Sequence, residues 1–268
     1  SRALIICGGV HPTLSPEQMI AIEGMDAVCV GEGEEPLFDL CHGLEQGKDI
    51  SNIANLWVKK DEKVHRNPLR PLVEDLDSLP FPDREVFPFR DSFDLRFMRR
   101  GVFMASRGCP FNCAYCCNHA LKGLYKGNKY VRLRSVENLL EEVETVVRNF
   151  PEMEYVVFHD DLLPMNKQWF EDFATQYRRR VGLPFEMNCH PNLMDREVAQ
   201  LAKYAGCSLV RFGIESGNDH IRRKVLDRHT STRRIIDAFA LCHEAGITTL
   251  SYNMIGLPFE RRTHILDT

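Results

Sequence analysis

Five short apolar runs, each closed by polar residues or glycine, govern the larger part of this 268-residue chain. They are Val102–Ala105, Tyr155–Phe158, Pro184–Cys189, Ser208–Ile214 and Thr248–Ile255. Between them the apolar period changes. From Ser135, the residues Val136, Leu139, Leu140, Val143, Val146, Val147 and Phe150 fall at helical spacing. Ser135 stands where a helix cap belongs, and Asn149 and Pro151 stop the run. Asn166 predicts a second capped helix carrying Trp169, Phe170, Phe173 and Tyr177 on one face; Asp195 predicts a third, ended by Gly206; a fourth runs from about Thr232 to Gly246. Strand–helix units repeating roughly every 30 to 40 residues build a parallel sheet that curls into a full or partial barrel.

Parallel barrels carry their chemistry at the carboxyl ends of the strands. Polar residues gather at those ends here: cysteines after the first strand, Asp160 and Asp161 after the second, Asn188 near the end of the third, Glu215 and Ser216 after the fourth, and Gly256-Leu257-Pro258 after the fifth. One acidic strand tip alone reads as a loop cap or an ion pair. Four together point to one cavity.

The cysteines lie in Arg107-Gly108-Cys109-Pro110-Phe111-Asn112-Cys113-Ala114-Tyr115-Cys116, a C-x-x-x-C-x-x-C spacing tight enough to wrap one soft metal centre. Thiolates select zinc, Cu(I) or iron–sulfur clusters. Structural zinc wants four protein ligands, often as separated pairs, and no fourth ligand stands beside this triplet. Three thiolates on a cluster of four irons leave one iron open to a small molecule, which marks a reactive centre. Cys117 is a spare thiol outside the spacing, and His119 reads as a loop hydrogen-bonder.

These residues resemble the cluster loop of radical S-adenosylmethionine (SAM) enzymes, and the flanking pieces resemble the branch with a cobalamin-binding domain in front. The resemblance covers nearly the whole chain. It implies that Cys109, Cys113 and Cys116 ligate a [4Fe–4S] cluster whose open iron takes the amino and carboxylate groups of SAM. Tyr115 would lie against adenine, Asp160 and Asp161 would face the methionine amino group, and Glu215, within Gly213-Ile214-Glu215-Ser216-Gly217, would hold the ribose. A carboxylate accepting from two hydroxyls suits that role. Gly256 and Pro258 match the adenine-side turn, although the family continues with a glycine where this chain has Phe259. Arg228 would reach the SAM carboxylate, and one or two arginines of the polar stretch Lys122 to Arg134 would serve an anionic group; the plainer reading of that stretch is a solvated loop. Asn188 and Ser216 join the candidate cofactor contacts by their place at strand tips. The implied reaction is one-electron cleavage of SAM to a deoxyadenosyl radical that abstracts hydrogen from a small-molecule substrate, with an electron donor such as flavodoxin or ferredoxin. In the cobalamin branch a methyl transfer to carbon often follows; other members cyclise or rearrange. Three further readings stay open: a cobalamin-independent enzyme of the methylthiotransferase or oxidative cyclase type, a zinc-binding structural module, and an inactive scaffold.

Residues 1–67 read as the C-terminal part of a Rossmann-like cobalamin-binding domain, 68–96 as a proline-rich linker and 97–268 as a truncated radical SAM partial barrel. A strand ending at Cys7 meets Gly8-Gly9, which with Val10-His11-Pro12-Thr13 matches the last of three motifs of such a domain; His11 reads as a loop residue. The D-x-H-x-x-G loop and the S-x-L turn are absent from this sequence, so cobalamin is expected in a longer parent whose earlier part precedes residue 1. Ser15 and Pro16 predict a helix start, with Gln18 reaching back. Ala27–Val30 predicts a second strand, and Pro36 a helix to Leu44. Leu56-Trp57-Val58 and Val64 flank a charged turn, a hairpin. Pro68, Pro71, Pro80, Pro82 and Pro88 exclude a regular helix from the linker, which Leu69, Leu72, Leu76, Leu79 and Phe81 would pin down. Five barrel strands against the family's usual six predict an open parallel edge.

A net charge of −4 gives no reason to expect nucleic acid or a membrane surface. No apolar run approaches the roughly 18 to 20 residues of a bilayer span. Ten cysteines without a signal peptide suit a reducing cytoplasm better than a disulfide framework. Cys7, Cys29, Cys207 and Cys242 sit in apolar runs as small hydrophobes, and Cys41-His42 reads as structural.

Overall fold

In the computed structural model, which describes residues 3–86 and 88–268, the chain divides into two units, one of residues 1–74 with 117–130 and one of 75–116 with 131–268.

The first unit is built on strand β1 (Ile6–Cys7), helices α1 (Val10–Leu14) and α2 (Pro16–Ala21), strand β2 (Ala27–Cys29), helix α3 (Glu34–Glu45) and the hairpin β3 (Leu56–Lys60) and β4 (Lys63–Arg66). The sheet order is β1-β2-β3-β4, with β1 and β2 parallel and the rest antiparallel. Gly9, at φ 107, makes the sharp exit from β1 that a residue with a Cβ resists. Its carbonyl accepts from the Thr13 hydroxyl, whose oxygen accepts the Gly31 N–H at 2.9 Å, so the two strand ends are pinned together. His11 therefore lies in a helix, not a loop. Ser15 precedes α2, but its side chain makes no capping bond; Pro16, at the first helical position, sets the start. Helix α3 begins at Glu34, earlier than Pro36, because the carboxylates of Glu34 and Glu35 favour a helix amino end. The hairpin turns on Asp61 and Glu62, both at positive φ, which matches the twist of paired strands.

The second unit continues through helix α4 (Phe93–Arg96), strand β5 (Arg100–Phe103) and the short β6 (Ser106–Arg107). The chain then crosses to the first unit for helix α5 (Cys117–Leu124), on which Cys117 and His119 lie. The loop expected over Lys122–Arg134 is thus partly helix and partly strand, since β7 (Arg132–Leu133) pairs antiparallel with β6. There follow α6 (Val136–Asn149), β8 (Tyr155–Phe158), α7 (Lys167–Arg180), β9 (Phe185–Cys189), α8 (Arg196–Ala205), β10 (Cys207–Glu215), α9 (Thr232–Glu244), β11 (Thr248–Asn253) and α10 (Arg262–Leu266). The side chains of Ser135, Asn166, Asp195 and Ser231 each accept a backbone N–H at the head of α6, α7, α8 and α9. Gly206, at φ 104, ends α8.

Strands β11-β10-β9-β8-β5 form one sheet, every pairing parallel. The buried faces of β8, β9 and β10 meet the apolar faces of α6 to α9 in a continuous core. At its centre Phe158 stands edge-on to Phe173, Tyr177 and Phe185, with ring centroids 5.2, 5.9 and 5.5 Å away. Leu72 and Leu76 of the proline-rich stretch are buried, each within its own unit, and Leu69, Leu79 and Phe81 are half-buried. Arg84 and Arg134 both pair with the buried Glu142 of α6, which straps the second unit's share of that stretch onto the helix. Strand β11 closes one edge of the sheet, with Leu250 39% and Tyr252 49% exposed. Among the described residues no sixth strand joins it.

Replacing Phe158 by Ala removes the ring against which α7 and β9 pack. A loss of about 3–5 kcal/mol in unfolding free energy is expected, read from urea denaturation under anaerobic conditions.

Candidate active site

Alternation along the strands decides which side chains face the open side of the sheet. On β9, Phe185, Met187 and Cys189 join the core, so Glu186, Asn188 and the following His190 lie on the other face; on β10, Val210, Phe212 and Ile214 join the core, leaving Arg211, Gly213 and Glu215. Lower in the sheet, Glu186 pairs with Arg211 and stands 3.7 Å from Arg100, a buried ion group that fills the floor. The polar tips lie above it.

The cysteine loop leaves β6 through Gly108, at φ 86. A turn closed by the Cys116 N–H on the Cys113 carbonyl at 3.1 Å follows, and the Ala114 N–H donates to the Leu226 carbonyl at 2.9 Å. None of the three cysteines is in a disulfide. Burial pushes the Cys109 thiol up to about 11, with Asp161, Cys116 and Cys113 adding to the rise. These neighbours set the three sulfurs and the Asp161 carboxylate in one electrostatic neighbourhood. A metal inverts such a shift, because a coordinating thiol is deprotonated outright. Among the described residues no three His, Cys, Asp or Glu side chains converge as one ion requires. A four-iron cluster would take each thiolate on a different iron.

Asp160 and Asp161 part company. Asp160 is fully buried. Its carboxylate accepts the Ala105 N–H at 3.0 Å and the Ser106 hydroxyl, tying the tip of β8 to the start of the cysteine loop. Burial outweighs these bonds and lifts its pKa to about 6. Asp161 is exposed beside Cys109. Asn188 donates to the Asp160 carbonyl at 2.8 Å. Ser216 is enclosed: its hydroxyl oxygen accepts the Asn218 N–H, and its carbonyl accepts from Arg222.

Glu215 sits at φ 68, where the β10–β11 register slips. A non-glycine residue there is strained, and the bulge turns its carboxylate back over the strand. Gly213 makes this possible, since a Cβ at that position would collide with the Glu215 carboxylate and stand 3.4 Å from Arg228 Nη2. The Glu215 carboxylate lies beside the Tyr115 hydroxyl. Desolvation at that hydroxyl, with the carboxylate beside it, raises the phenol above its ordinary value, although the residue as a whole is 41% exposed. Arg228 is 6% exposed and donates to the Cys113 sulfur at 3.4 Å and to the Gly213 carbonyl. Of the candidate arginines in the stretch before α6, Arg134 is spent on Glu142, Asn138 and the Met104 carbonyl.

At the far edge, the Gly256 and Leu257 N–H groups both donate to Glu260 Oε2, at 2.7 and 3.2 Å, which folds the turn. Glu260 Oε1 is buried without a partner among the described residues. Phe259 is 85% exposed at φ 62, so the glycine usual there has a physical reason: the turn needs a left-handed residue. Gly8 and Gly9 lie in the other unit, at the end of β1.

Two residues at the site escaped the sequence reading. His190 stacks on Phe111 of the cysteine loop, with centroids 3.9 Å apart. It accepts the Asn192 N–H on Nδ1 and meets the Thr230 hydroxyl with Nε2. Counting by twos from Glu186 would have found it. Arg222 is wholly buried and donates to the carbonyls of Ser216, Gly217 and Thr230, shaping the loop that carries Arg228. Nothing in its local sequence marks it.

The sequence model of the Radical SAM superfamily matches residues 104–268. The chain belongs to the radical SAM superfamily. It is 31% identical, over 100% of its own length and 57% of the relative's, to an uncharacterized methyltransferase of Pyrococcus horikoshii. It is 24% identical, over 98% of its length and 47% of the relative's, to the anaerobic magnesium-protoporphyrin IX monomethyl ester cyclase of Rubrivivax gelatinosus. The chain thus spans about half the length of the curated relatives it matches. Its fold matches the radical SAM methyltransferase TsrM of Kitasatospora setae, solved with cobalamin and a [4Fe–4S] cluster, at TM-score 0.78 and 18% identity over 98% of this chain and 53% of that one.

Two solution tests follow from this radical SAM geometry. Desolvation, helped by Arg228 and Arg234, lowers the His190 pKa from 6.5 to about 3. An unfolded chain takes up a proton at 6.5 that the folded chain refuses, so this contribution is full above that pH and is lost as the pH falls towards 3. His190→Asn, which keeps an acceptor for the Asn192 N–H, should flatten the loss of stability between pH 7 and pH 5 in denaturant titrations. Phe259→Gly should stabilise the chain by about 0.5–1 kcal/mol in the same assay, because it relieves a left-handed phenylalanine and removes no buried contact.

Proposed function

We propose that this chain carries the cluster- and SAM-binding part of an enzyme that starts radical chemistry on a small organic molecule and, in a cobalamin-containing parent, transfers a methyl group to one of its carbons. The observation that carries the reading is the meeting, at the carboxyl ends of parallel strands, of three cysteines outside any disulfide with Asp161, Tyr115, Glu215 and Arg228.

In this reading Cys109, Cys113 and Cys116 hold a [4Fe–4S] cluster. When bound, the cluster supplies one electron that breaks a carbon–sulfur bond of SAM. The chain's own residues bind and orient. Asp161 offers a carboxylate to the SAM ammonium. Glu215 accepts from the ribose hydroxyls, and the Tyr115 ring lies on adenine. The Gly256–Pro258 turn bounds the adenine, and the orphaned Glu260 oxygen beside it is an acceptor awaiting a donor. Asp160, Asn188 and Ser216 act from within by fixing the strand tips. Exclusion of water and oxygen protects the intermediate.

Cobalamin rests on the family branch, on the parallel strands and glycine exits of the first unit, and on TsrM, whose structure holds cobalamin. Methyl transfer is favoured by the methyltransferase relative, and ring closure by the cyclase relative. A low-potential donor such as flavodoxin or ferredoxin would supply the electron. No helix among the described residues is long and apolar enough to cross a membrane. Ten cysteines outside any disulfide suit a reducing cytoplasm.

Anaerobic reconstitution should give iron and acid-labile sulfide in equal amounts and a broad absorbance near roughly 400 nm. Cys113→Ala should abolish the band and the conversion of SAM to 5′-deoxyadenosine. Full absorbance in that variant, or zinc in place of iron and sulfide, would refute the reading. In the full-length parent, a methylated product with S-adenosylhomocysteine identifies methyl transfer, and deoxyadenosine alone identifies the cyclase type.

A further inference from the structure

We propose that Arg228 is a hydrogen-bond donor to the thiolate of Cys113 and raises the reduction potential of the cluster which that thiolate helps to hold. The inference rests on the radical SAM reading of the site.

Four features carry it. Arg228 is buried, and its Nη1 lies 3.4 Å from the Cys113 sulfur. Its Nη2 is anchored on the Gly213 carbonyl. Its backbone is fixed as well: the Arg228 N–H donates to the Arg222 carbonyl at 2.8 Å, and the Thr230 N–H donates to the Arg228 carbonyl at 3.0 Å. Finally, the Ala114 N–H, next to Cys113, donates to the Leu226 carbonyl, so the segment bearing the donor and the loop bearing the acceptor are stapled together beside the contact. The guanidinium therefore meets the sulfur with little freedom left to lose on binding.

A donor on a metal-bound thiolate draws electron density from the metal, and a fixed positive charge stabilises the more negative, reduced state. Both act in the same direction. Arg228 is thus a positioning and tuning residue that acts through Cys113.

The test uses the anaerobically reconstituted chain. Redox titration read by electron paramagnetic resonance gives the cluster potential of the unaltered protein, of Arg228→Met and of Arg228→Lys. Arg228→Met is expected to lower the reduced-to-oxidised ratio at fixed potential about tenfold, which for one electron is about 59 mV. Arg228→Lys should fall between. In unaltered protein labelled with [15N]arginine, pulsed resonance on the reduced cluster should show a nitrogen coupling. This measurement decides the matter even where Arg228→Met fails to take up iron. An intact cluster with no arginine coupling, or an unshifted potential in iron-replete Arg228→Met, overturns this inference alone. An unaltered chain that takes up no iron and sulfide overturns the radical SAM reading and this inference with it.

Discussion

The buried carboxylate of Asp160 is the tie on which the site depends. It reaches from the tip of β8 to the Ala105 N–H and the Ser106 hydroxyl, where the chain leaves the sheet for the cysteine loop. A parallel sheet fixes strand tips in a row but leaves the loops beyond them free. Here the second tip holds the first loop, and Asn188 on the third strand holds the second tip through the Asp160 carbonyl. Breaking such a bond leaves buried donors without partners, which costs far more than the bond itself gains. Three strands are thereby coupled at the level where the chemistry takes place.

Two arginines extend that order to the other side of the cavity. Arg222 has no exposed surface and gathers the carbonyls of Ser216, Gly217 and Thr230. A guanidinium offers five donors in a fixed fork, enough to fold an irregular loop that lacks its own backbone ladder. That loop presents Arg228, and Arg228 meets Cys113. The strain stored at Glu215, in a left-handed conformation, is held by the same surroundings.

Much of this was legible in the chain. The strand–helix periods gave the sheet because one buried face per element is the condition for packing, and that condition leaves a pattern in sequence. Ser135, Asn166 and Asp195 announced their helices because a cap is a local bond between near neighbours. Ser15 misled for the same reason: its spacing fits a cap, but the preceding helix α1 sets a backbone angle from which its hydroxyl makes no such bond. The stretch after the cysteines hides the end of helix α5 behind its charges, because that helix belongs with residues 1–74, far off in sequence.

The residues alone determined the spacing of the three cysteines, the order of elements and the strand ends at which polar groups collect, since each is set by spacing along one short segment. The tertiary fold decided what each polar group does. Only the fold shows that Asp160 faces inward while Asp161 beside it is exposed, that His190 stacks on Phe111, and that Arg228 meets a sulfur 115 residues away. Neighbouring residues on a strand tip differ by a rotation about the chain, and that rotation is fixed by contacts with segments far off in sequence. Local composition carries no record of them.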